Sequence, residues 1–426
     1  RVSGQFDFAK STQADSKVGD ADQQAATSET SDQNHSAGTS EGKLSVAAAV
    51  GVNVVTSSVS AAMPDGKDIS AGGRFTVHAV NGTDGIVSAD ASASASQFAI
   101  GAAAAVNAIT STNVARLGNA RYSANGVTVS ALTAAPSGTP HVSIFNTTAK
   151  SGAGGSKVGI AGALALNLID ASSTATVSGS AIVDAGTGAS IISADQRMSA
   201  SASAAPLDDS LTTGGKVGIG ASVALNLLDS TATAEIEDNA VFDNGAGLSV
   251  TANSDVSTKT DAKAGSEGGI AIDAVVALAL LDVTASAKIG TGNAITTTGA
   301  VVINATSSGE NTATGTGEAD GGKVGVGAAV AVISGNGAQA TDLKNTSVTS
   351  TNLARDLTAA SLAITASSSR SYESYATASA GGGKDKEASE TSDAKSTQSL
   401  SETKNYQKGT DGSDQKTGNG GSKVTV

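Results

Sequence analysis

The stretch "GGKVGIGASVALNLLD" (Gly214–Asp229) nearly repeats "GSKVGIAGALALNLID" (Gly155–Asp170), which begins 59 residues earlier. Related stretches are "KLSVAAAVGVN", "QFAIGAAAAVN", "GIAIDAVVALA" and "KVGVGAAVAVI", and "KVTV" opens the pattern once more. Aligned on the first large apolar residue, the copies begin at Leu44, Phe98, Val158, Val217, Ile270, Val324 and Val424. Their spacings are 54, 60, 59, 53, 54 and 100 residues. Such self-similarity predicts a repeat architecture in which each copy is one structural unit.

The opening stretch of each copy has a period of two residues. In Gly214–Asp229, large side chains such as Val217 and Leu225 alternate with small ones such as Gly218 and Ser222. Strict alternation is typical of a β-strand. Because the second face carries small rather than charged residues, we expect the strand to be covered on both sides at close distance. We also expect the larger face to be the core, so that Leu225→Asp is far more damaging than Ser222→Asp.

The rest of each copy also predicts β-structure. A Thr/Ala stretch leads to a turn and a second strand pair, as in "AVFDNGAGLSVTAN" (Ala240–Asn253), and then to a polar alternating run (Ser254–Gly269). This run meets the next apolar strand at a Gly-rich tip, which predicts a hairpin or a sharp corner. The predicted fold class is therefore all-β: a repetitive, parallel β-helix-like solenoid with stacked hairpins and 54–60 residues per repeat.

The size of one rung is open at this point. With strands about 4.8 Å apart, six copies rise roughly 30 Å if each is one coil, and roughly 100 Å if each holds three coils. We favour a mixed rung of intermediate size, in which a hairpin flanks a smaller coil. In either case homologous strands should stack in register in one sheet.

Three regions follow from the repeat. Residues 1–43 are predicted to be the end of a repeat with a polar insertion, residues 44–383 the six-copy β-solenoid region, and residues 384–426 a second polar insertion and the start of a further repeat. The insertions, Lys10–Lys43 and Lys384–Lys423, fall at the same corner, where solenoids often meet partners. We expect the sequence to be a window of a longer chain, with rung edges that lack caps.

Composition excludes several classes of function. The 426 residues carry a net charge of −13, which disfavours nucleic acid because phosphate binding needs clustered Lys and Arg. The longest apolar run, Val275–Leu281, is shorter than the roughly 18 residues of a membrane helix, so no membrane insertion is expected within the segment. There is no Cys for a disulfide framework, and aromatic residues are only 2%, so Ala, Val, Ile and Leu must fill the core.

The polar residues do not form a recognisable catalytic or metal-binding motif. His35, His78 and His141 have no partner at metal-ligand spacing, and "GAGGSK" (Gly152–Lys157) lacks the spacing of a phosphate-binding loop, so it is interpreted as a turn. Asp208–Asp209 is an adjacent carboxylate pair, but nothing marks a cleft there. We therefore predict no catalytic residues, no cofactor and no metal ligands, and hence no enzyme.

Two polar features remain as hypotheses. "DGSDQKTGNGG" (Asp411–Gly421) fits neither an EF-hand loop nor a repeated nonapeptide, and calcium binding there is left open. The tenth position of the opening motif is Asn in four successive copies, which predicts a hydrogen-bonded ladder between rungs. These residues are Asn53, Asn107, Asn167 and Asn226.

The repeat "GGKVGIGASVALNLLDSTATAEIEDNAVFDNGAGLSVTANS" (Gly214–Ser254) resembles the repeats of very large bacterial exoproteins, the filamentous-haemagglutinin-like and related giant adhesins. The resemblance covers nearly the whole chain apart from the two insertions. It implies an extracellular β-solenoid shaft on the bacterial cell surface, acting in cell adhesion or biofilm cohesion. The implied partners are further repeats of the same or neighbouring chains, end to end, and a host, cell-surface or matrix ligand.

Two other functions stay open. A subunit of a self-assembling extracellular filament or sheath would use the same rungs, joined between chains. A polysaccharide-active β-helix enzyme would need carboxylates, basic residues and aromatics clustered on one face, and no such cluster is visible in the sequence.

Overall fold

The computed structural model describes residues 36–39, 42–134, 141–207, 212–335, 346–382 and 421–425. Within these ranges the chain is all-β and contains no α-helix, as predicted. The strands, in chain order, are β1 (Ser36–Thr39), β2 (Leu44–Met63), β3 (Ile69–Ser70), β4 (Phe75–Val80), β5 (Gly85–Ala95), β6 (Phe98–Leu117), β7 (Arg121–Ser123), β8 (Val127–Leu132), β9 (Ser143–Gly155), β10 (Val158–Val177), β11 (Ile182–Asp184), β12 (Ala189–Pro206), β13 (Thr212–Ile236), β14 (Val241–Asp243), β15 (Gly247–Ile289), β16 (Ile295–Thr296), β17 (Ala300–Ser334), β18 (Thr346–Asn352), β19 (Leu357–Thr358), β20 (Ser361–Gly381) and β21 (Gly421–Thr425).

The six copies stack in register as one parallel sheet. Phe98 lies opposite Leu44 on one side and Val158 on the other. Val217 likewise lies between Val158 and Ile270, which in turn pairs with the residue that opens the sixth copy. This confirms the predicted alignment. Because adjacent copies are adjacent strands, one copy is one rung, and six rungs rise roughly 30 Å. The expectation of a mixed, intermediate rung was wrong, because most residues of each copy lie in two long strands and not in several short ones.

Each rung is flat and wide. In the third copy the apolar arm β10 leads through the short strand β11 to the polar arm β12, which runs back to the Gly-rich tip of the next copy. We call β2, β6, β10, 217–236 of β13, 270–289 of β15 and 324–334 of β17 the apolar arms. The short strands β3, β7, β11 and β14 stack as a parallel sheet of their own, and β16 pairs with β19. Glycines with positive φ, such as Gly126 (90°) and Gly186 (56°), make the turns around the short strands.

The two arms joined at a tip face each other through side chains. A Cβ built on Gly317 would lie 3.2 Å from the carbonyl oxygen of Ala328, and one on Gly315 would lie 3.0 Å from that of Val330. Among the described residues, each arm forms its backbone ladder with the same arm of neighbouring rungs. The predicted corner at the tip is therefore present, and it takes the form of an arch between two sheets instead of a hydrogen-bonded hairpin.

The core widens from the tips towards the short strands. Near the tips it consists almost entirely of alanine, as in Ala91, Ala105 and Ala204. Farther along, larger residues such as Ile169 and Leu228 fill it, and at the wide end Leu117, Val177, Ile236 and Ile289 stack rung upon rung against Tyr122 and Phe242. This gradient in side-chain volume gives the rung its wedge-shaped section.

Both predicted insertions end in strands of the stack. Ser36–Thr39, at the end of Lys10–Lys43, pairs in parallel with β5. The expected start of a seventh copy at Val424 is wrong in its pairing: Gly421–Thr425 runs antiparallel to β20, opposite Glu373–Thr377. The free edge of β20 offers unpaired backbone groups that accept a strand of either direction. Residues 10–35, 40–41 and 384–420 of the insertions lie outside the described residues, and with them lie His35 and all of the candidate calcium loop Asp411–Gly421 except its last residue.

Candidate functional surface

The apolar arms place their small residues inside and their large residues outside near the tips. Ser222 is 3% exposed and Asn226 fully buried, whereas Val217 and Leu225 point outward and are partly exposed. The expectation that the larger face is the core was therefore wrong. The reason is the close approach of the two arms: a Cβ on Gly218 would lie 2.5 Å from the carbonyl oxygen of Glu267, so this interface accepts only small residues.

The outward residues of the six copies form one continuous surface, which we call the aliphatic face. It comprises the alternate residues of the first eleven positions in each apolar arm, and all of them except Gly162 and Ser334 are apolar. None is charged. Its members are Leu44, Val46, Ala48, Val50, Val52, Val54, Phe98, Ile100, Ala102, Ala104, Val106, Ala108, Val158, Ile160, Gly162, Leu164, Leu166, Leu168, Val217, Ile219, Ala221, Val223, Leu225, Leu227, Ile270, Ile272, Ala274, Val276, Leu278, Leu280, Val324, Val326, Ala328, Val330, Val332 and Ser334.

The aliphatic face has a sharp boundary. The next outward position of the first five copies is Thr56, Thr110, Asp170, Asp229 and Asp282. Beyond it the outward residues are mainly Thr and Ser, with a few charged side chains. The outer surface of the opposite arm is polar as well, since its outward residues in 255–267 of β15 include Asp255, Lys259 and Lys263. In the fourth rung the aliphatic face is thus bordered by polar outward residues on its own arm and backed by polar outward residues on the opposite arm.

The aliphatic face is larger than the apolar patches of ordinary monomers. Eleven residues at about 3.3 Å and six strands at about 4.8 Å give roughly 1,000 Å². The largest apolar patch on a typical monomer covers about 300–600 Å². Side chains at the stack ends are the most exposed, with Val50 at 73% and Val330 at 49%, while Ile272 nearer the middle is 38% exposed.

The predicted asparagine stack is present within the core, where it forms two hydrogen-bonded pairs between adjacent rungs. Asn53 and Asn167 donate through Nδ2 to the Oδ1 of Asn107 (3.0 Å) and Asn226 (2.8 Å), respectively. Asn167 also donates to the carbonyl oxygen of Ser201 at 2.9 Å. These bonds tie rung to rung and arm to arm, which makes the asparagines structural.

One carboxylate lies in the alanine-rich zone of the core. Asp273 is 1% exposed, and it stacks between Gly220 and Gly327, whose missing side chains leave room for it. Its Oδ2 accepts a hydrogen bond from the backbone N–H of Ser266 at 3.1 Å. Burial raises the pKa of Asp273 to about 6, and the nearby Glu318 acts in the same direction.

The other candidate residues have structural surroundings. The Nδ1 of His78, in β4, lies 3.1 Å from the hydroxyl of Ser130, and the Nε2 of His141 lies 3.2 Å from Asp84 Oδ1. The "GAGGSK" stretch forms the end of β9 and a tip, where Lys157 donates to Gln97 Oε1 at 2.9 Å. Asp208–Asp209 lies outside the described residues. Within the described ranges no three His, Asp or Glu side chains come close enough to share a metal ion.

A shallow depression of about 500 Å³ lies on the polar arms, lined by residues that include Asp255, Glu310 and Arg370. The guanidinium of Arg370 donates to the carbonyl oxygens of Ser308 (2.8 Å) and Val256 (3.1 Å). Its donors are thus directed at the backbone of two rungs, and the depression does not assemble a set of reactive groups.

No family model, curated protein or solved structure matches this chain. In the described part of the chain, no helix is long and apolar enough to cross a membrane.

Proposed function

We propose that this chain is a structural segment of a large bacterial surface adhesin or exoprotein: an extracellular β-solenoid shaft that acts in cell adhesion or biofilm cohesion. The observation that carries the proposal is the stacking of six copies in register, one rung per copy. The buried polar groups support a structural role, because the side-chain amides of Asn107, Asn167 and Asn226 donate hydrogen bonds to backbone carbonyl oxygens of neighbouring strands. A chain built in this way extends by adding copies and presents the same outer surfaces on every rung.

The proportions of the rung favour cohesion over reach. Each copy of 53–60 residues adds only about 4.8 Å of height, whereas a 20-residue arm is about 66 Å long. The stack of rungs is therefore wide along the strands and short along the stacking direction. Most of its surface lies on the sides of the stack and not at its ends.

The experiment is deletion of residues 44–382 from the gene in the organism that produces the protein. We expect antibodies against the segment to label intact parental cells, and we expect the deletion to lower cell-to-cell or cell-to-surface attachment while secretion continues. Labelling that requires permeabilised cells, or attachment that is unchanged when the segment is lost, would overturn the proposal.

A self-assembling filament or sheath subunit is the second candidate. It is supported by the apolar arms at the two ends of the stack, since among the described residues β2 pairs only with β6 and residues 324–334 only with β15. Unpaired parallel edges can accept the equivalent arm of another chain. Electron micrographs of the purified chain would distinguish long fibres, with a repeat set by the stack, from separate particles.

A further inference from the structure

We propose that the aliphatic face is an interface between two copies of this chain, packed sheet to sheet. The inference goes beyond the proposed function, and it holds whether the segment is a shaft or a filament subunit. It concerns lateral pairing, which leaves the two ends of the stack free.

The patterning of the outward residues carries the first step. Leu168 and Asp170 are consecutive outward residues of β10, yet one belongs to a surface without a charge and the other to a surface of Asp, Ser and Thr. The change occurs at the same position in the neighbouring copies, at Asp229 and Asp282. A strand that needed only to face water would carry polar residues along its whole length.

The area agrees with a stable interface. The face covers roughly 1,000 Å², and a standard protein–protein interface buries about 800 Å² on each partner. Two flat sheets with aliphatic side chains can pack at about 10 Å, as in a β-sandwich. A second copy offers a surface of matching size, flatness and chemistry.

The described chain disfavours other occupants. The two long stretches outside the described residues are rich in Ser, Thr, Asp, Lys and Gln, a composition that does not match an apolar face. A bilayer surface would meet the row formed by Asp170, Asp229 and Asp282 along one margin of the face, and the whole chain carries a charge of −13. Anionic lipid is repelled by this margin, whereas Lys157 and Lys216 lie at the opposite margin, so the vesicle experiment below tests this occupant directly.

The margins also select an orientation. Lys43, Lys157, Lys216 and Lys323 lie at the tips, immediately before the first residue of the face in four of the copies. The Asp row lies at the opposite margin. A two-fold axis parallel to the stacking direction makes the facing arms antiparallel and keeps rung opposite rung. Asp170 then lies over the partner's Lys157 and Asp229 over the partner's Lys216, so opposite charges meet at both margins of the third and fourth rungs.

The first test is sedimentation velocity of the whole chain over a range of concentrations. We expect the wild type to form a dimer, and Leu225→Lys to lower the association constant by at least about 100-fold, because it buries a charge in the interface. Thr233→Lys is the matched control: it adds the same charge eight residues farther along the same strand, outward but beyond the face. Circular dichroism checks that both variants keep the β-fold.

The second test uses the absence of Cys from the chain. In the proposed orientation the axis passes close to Val223, so two copies of Val223→Cys lie within about 15 Å, whereas two copies of Thr231→Cys lie about 60 Å apart. A short bismaleimide should link Val223→Cys into dimers and leave Thr231→Cys as monomers. Equal linking of both would contradict the orientation and the interface.

Vesicles of neutral phosphatidylcholine and of anionic phosphatidylglycerol complete the design. We expect neither to carry the wild type upward in a density gradient. A wild-type chain that stays monomeric at every concentration, or that floats with either vesicle as a monomer, would overturn the pairing. Either result would leave the proposed extracellular structural role to be judged by its own deletion experiment.

Discussion

Ser222 and Leu225 lie three residues apart on β13 and face opposite sides of the sheet. Ser222 is buried between the two arms, and Leu225 lies on the aliphatic face. This arrangement reverses the usual expectation for an alternating strand, because here the larger side chains are outside. The close spacing of two alanine-rich sheets, rather than hydrophobicity alone, decides which face is the core.

The first prediction follows from that reversal. Ser222→Asp should lower the free energy of unfolding by several kcal/mol, because it buries a charge without a partner. Leu225→Asp should cost about 1 kcal/mol or less in the monomer, since its side chain reaches solvent. Urea unfolding at a concentration where the chain sediments as a monomer is the measurement. A larger loss for Leu225→Asp would restore the larger face as the core.

Glycine at the tips supplies a second, more conservative test. Gly218→Ala should cost about 1–3 kcal/mol, because the new Cβ meets the backbone of Glu267 at 2.5 Å. Gly162→Ala is the control: it points outward and has nothing within 4 Å, so it should change stability by less than about 1 kcal/mol, in the stabilising direction. Similar thermal melts for the two variants would show that the arms do not approach each other as described.

Asp273 predicts a dependence of stability on pH. Its pKa is raised from 3.8 to about 6 in the folded chain. Below about pH 4 the carboxyl is protonated in both the folded and the unfolded chain, so its ionisation does not change the free energy of unfolding. As pH rises from about 4 to about 6, the unfolded chain releases the proton before the folded chain does, and stability falls. Above about pH 6 this loss of stability is complete. A shift of this size corresponds to about 3 kcal/mol.

Replacing that carboxyl should therefore stabilise the fold at neutral pH. Asp273→Asn is expected to raise the free energy of unfolding at pH 7 by about 2–3 kcal/mol, with the advantage shrinking towards pH 4. Denaturant unfolding of both proteins between pH 4 and pH 8 checks the sign. A difference that stays constant across this range would mean that the carboxylate is not buried as an ionised group.

The asparagine ladder gives a further prediction. Asn167→Ala should cost about 2–4 kcal/mol, because the carbonyl oxygen of Ser201 and the Oδ1 of Asn226 each lose the hydrogen bond that Asn167 donates to them. Asn53→Ala removes one bond from a half-buried residue at the end rung and should cost about 1 kcal/mol. Hydrogen exchange of the third and fourth rungs should speed up only in the first variant. Equal costs would argue against a cooperative ladder.

The sequence predicted the order of the stack well and its cross-section poorly. Repetition of letters sets register, because like residues such as Val158 and Val217 pair directly. The inward face of the strand could also have been inferred. Gly218, Ser222 and Asn226 lie on one face, most of the other copies have similar small or polar residues at these positions, and only a narrow interior needs such small residues. Hydrophobic alternation alone pointed to the other face, and so the aliphatic surface was missed.

The size of the rung and the last strand lay beyond such patterns. Nothing in the spacing of the copies shows whether 53–60 residues make one coil or several, since this depends on where each chain reversal falls. Gly421–Thr425 pairs antiparallel with the open edge of β20. Gly421 lies 40 residues after Gly381, the last residue of β20, so the pairing is not local in sequence. Both are tertiary properties that local composition does not encode.

The stacking of one copy per rung, on which both the shaft and the paired face depend, is tested most directly by a spin-label distance. Ser58 and Thr284 occupy the same position in the first and fifth copies, and both point outward beyond the aliphatic face. With Cys introduced at both sites of the Cys-free chain, double electron–electron resonance should give a narrow distribution near 19 Å between the backbones, allowing for label length. A distance near 60 Å, or a broad distribution, would contradict one copy per rung.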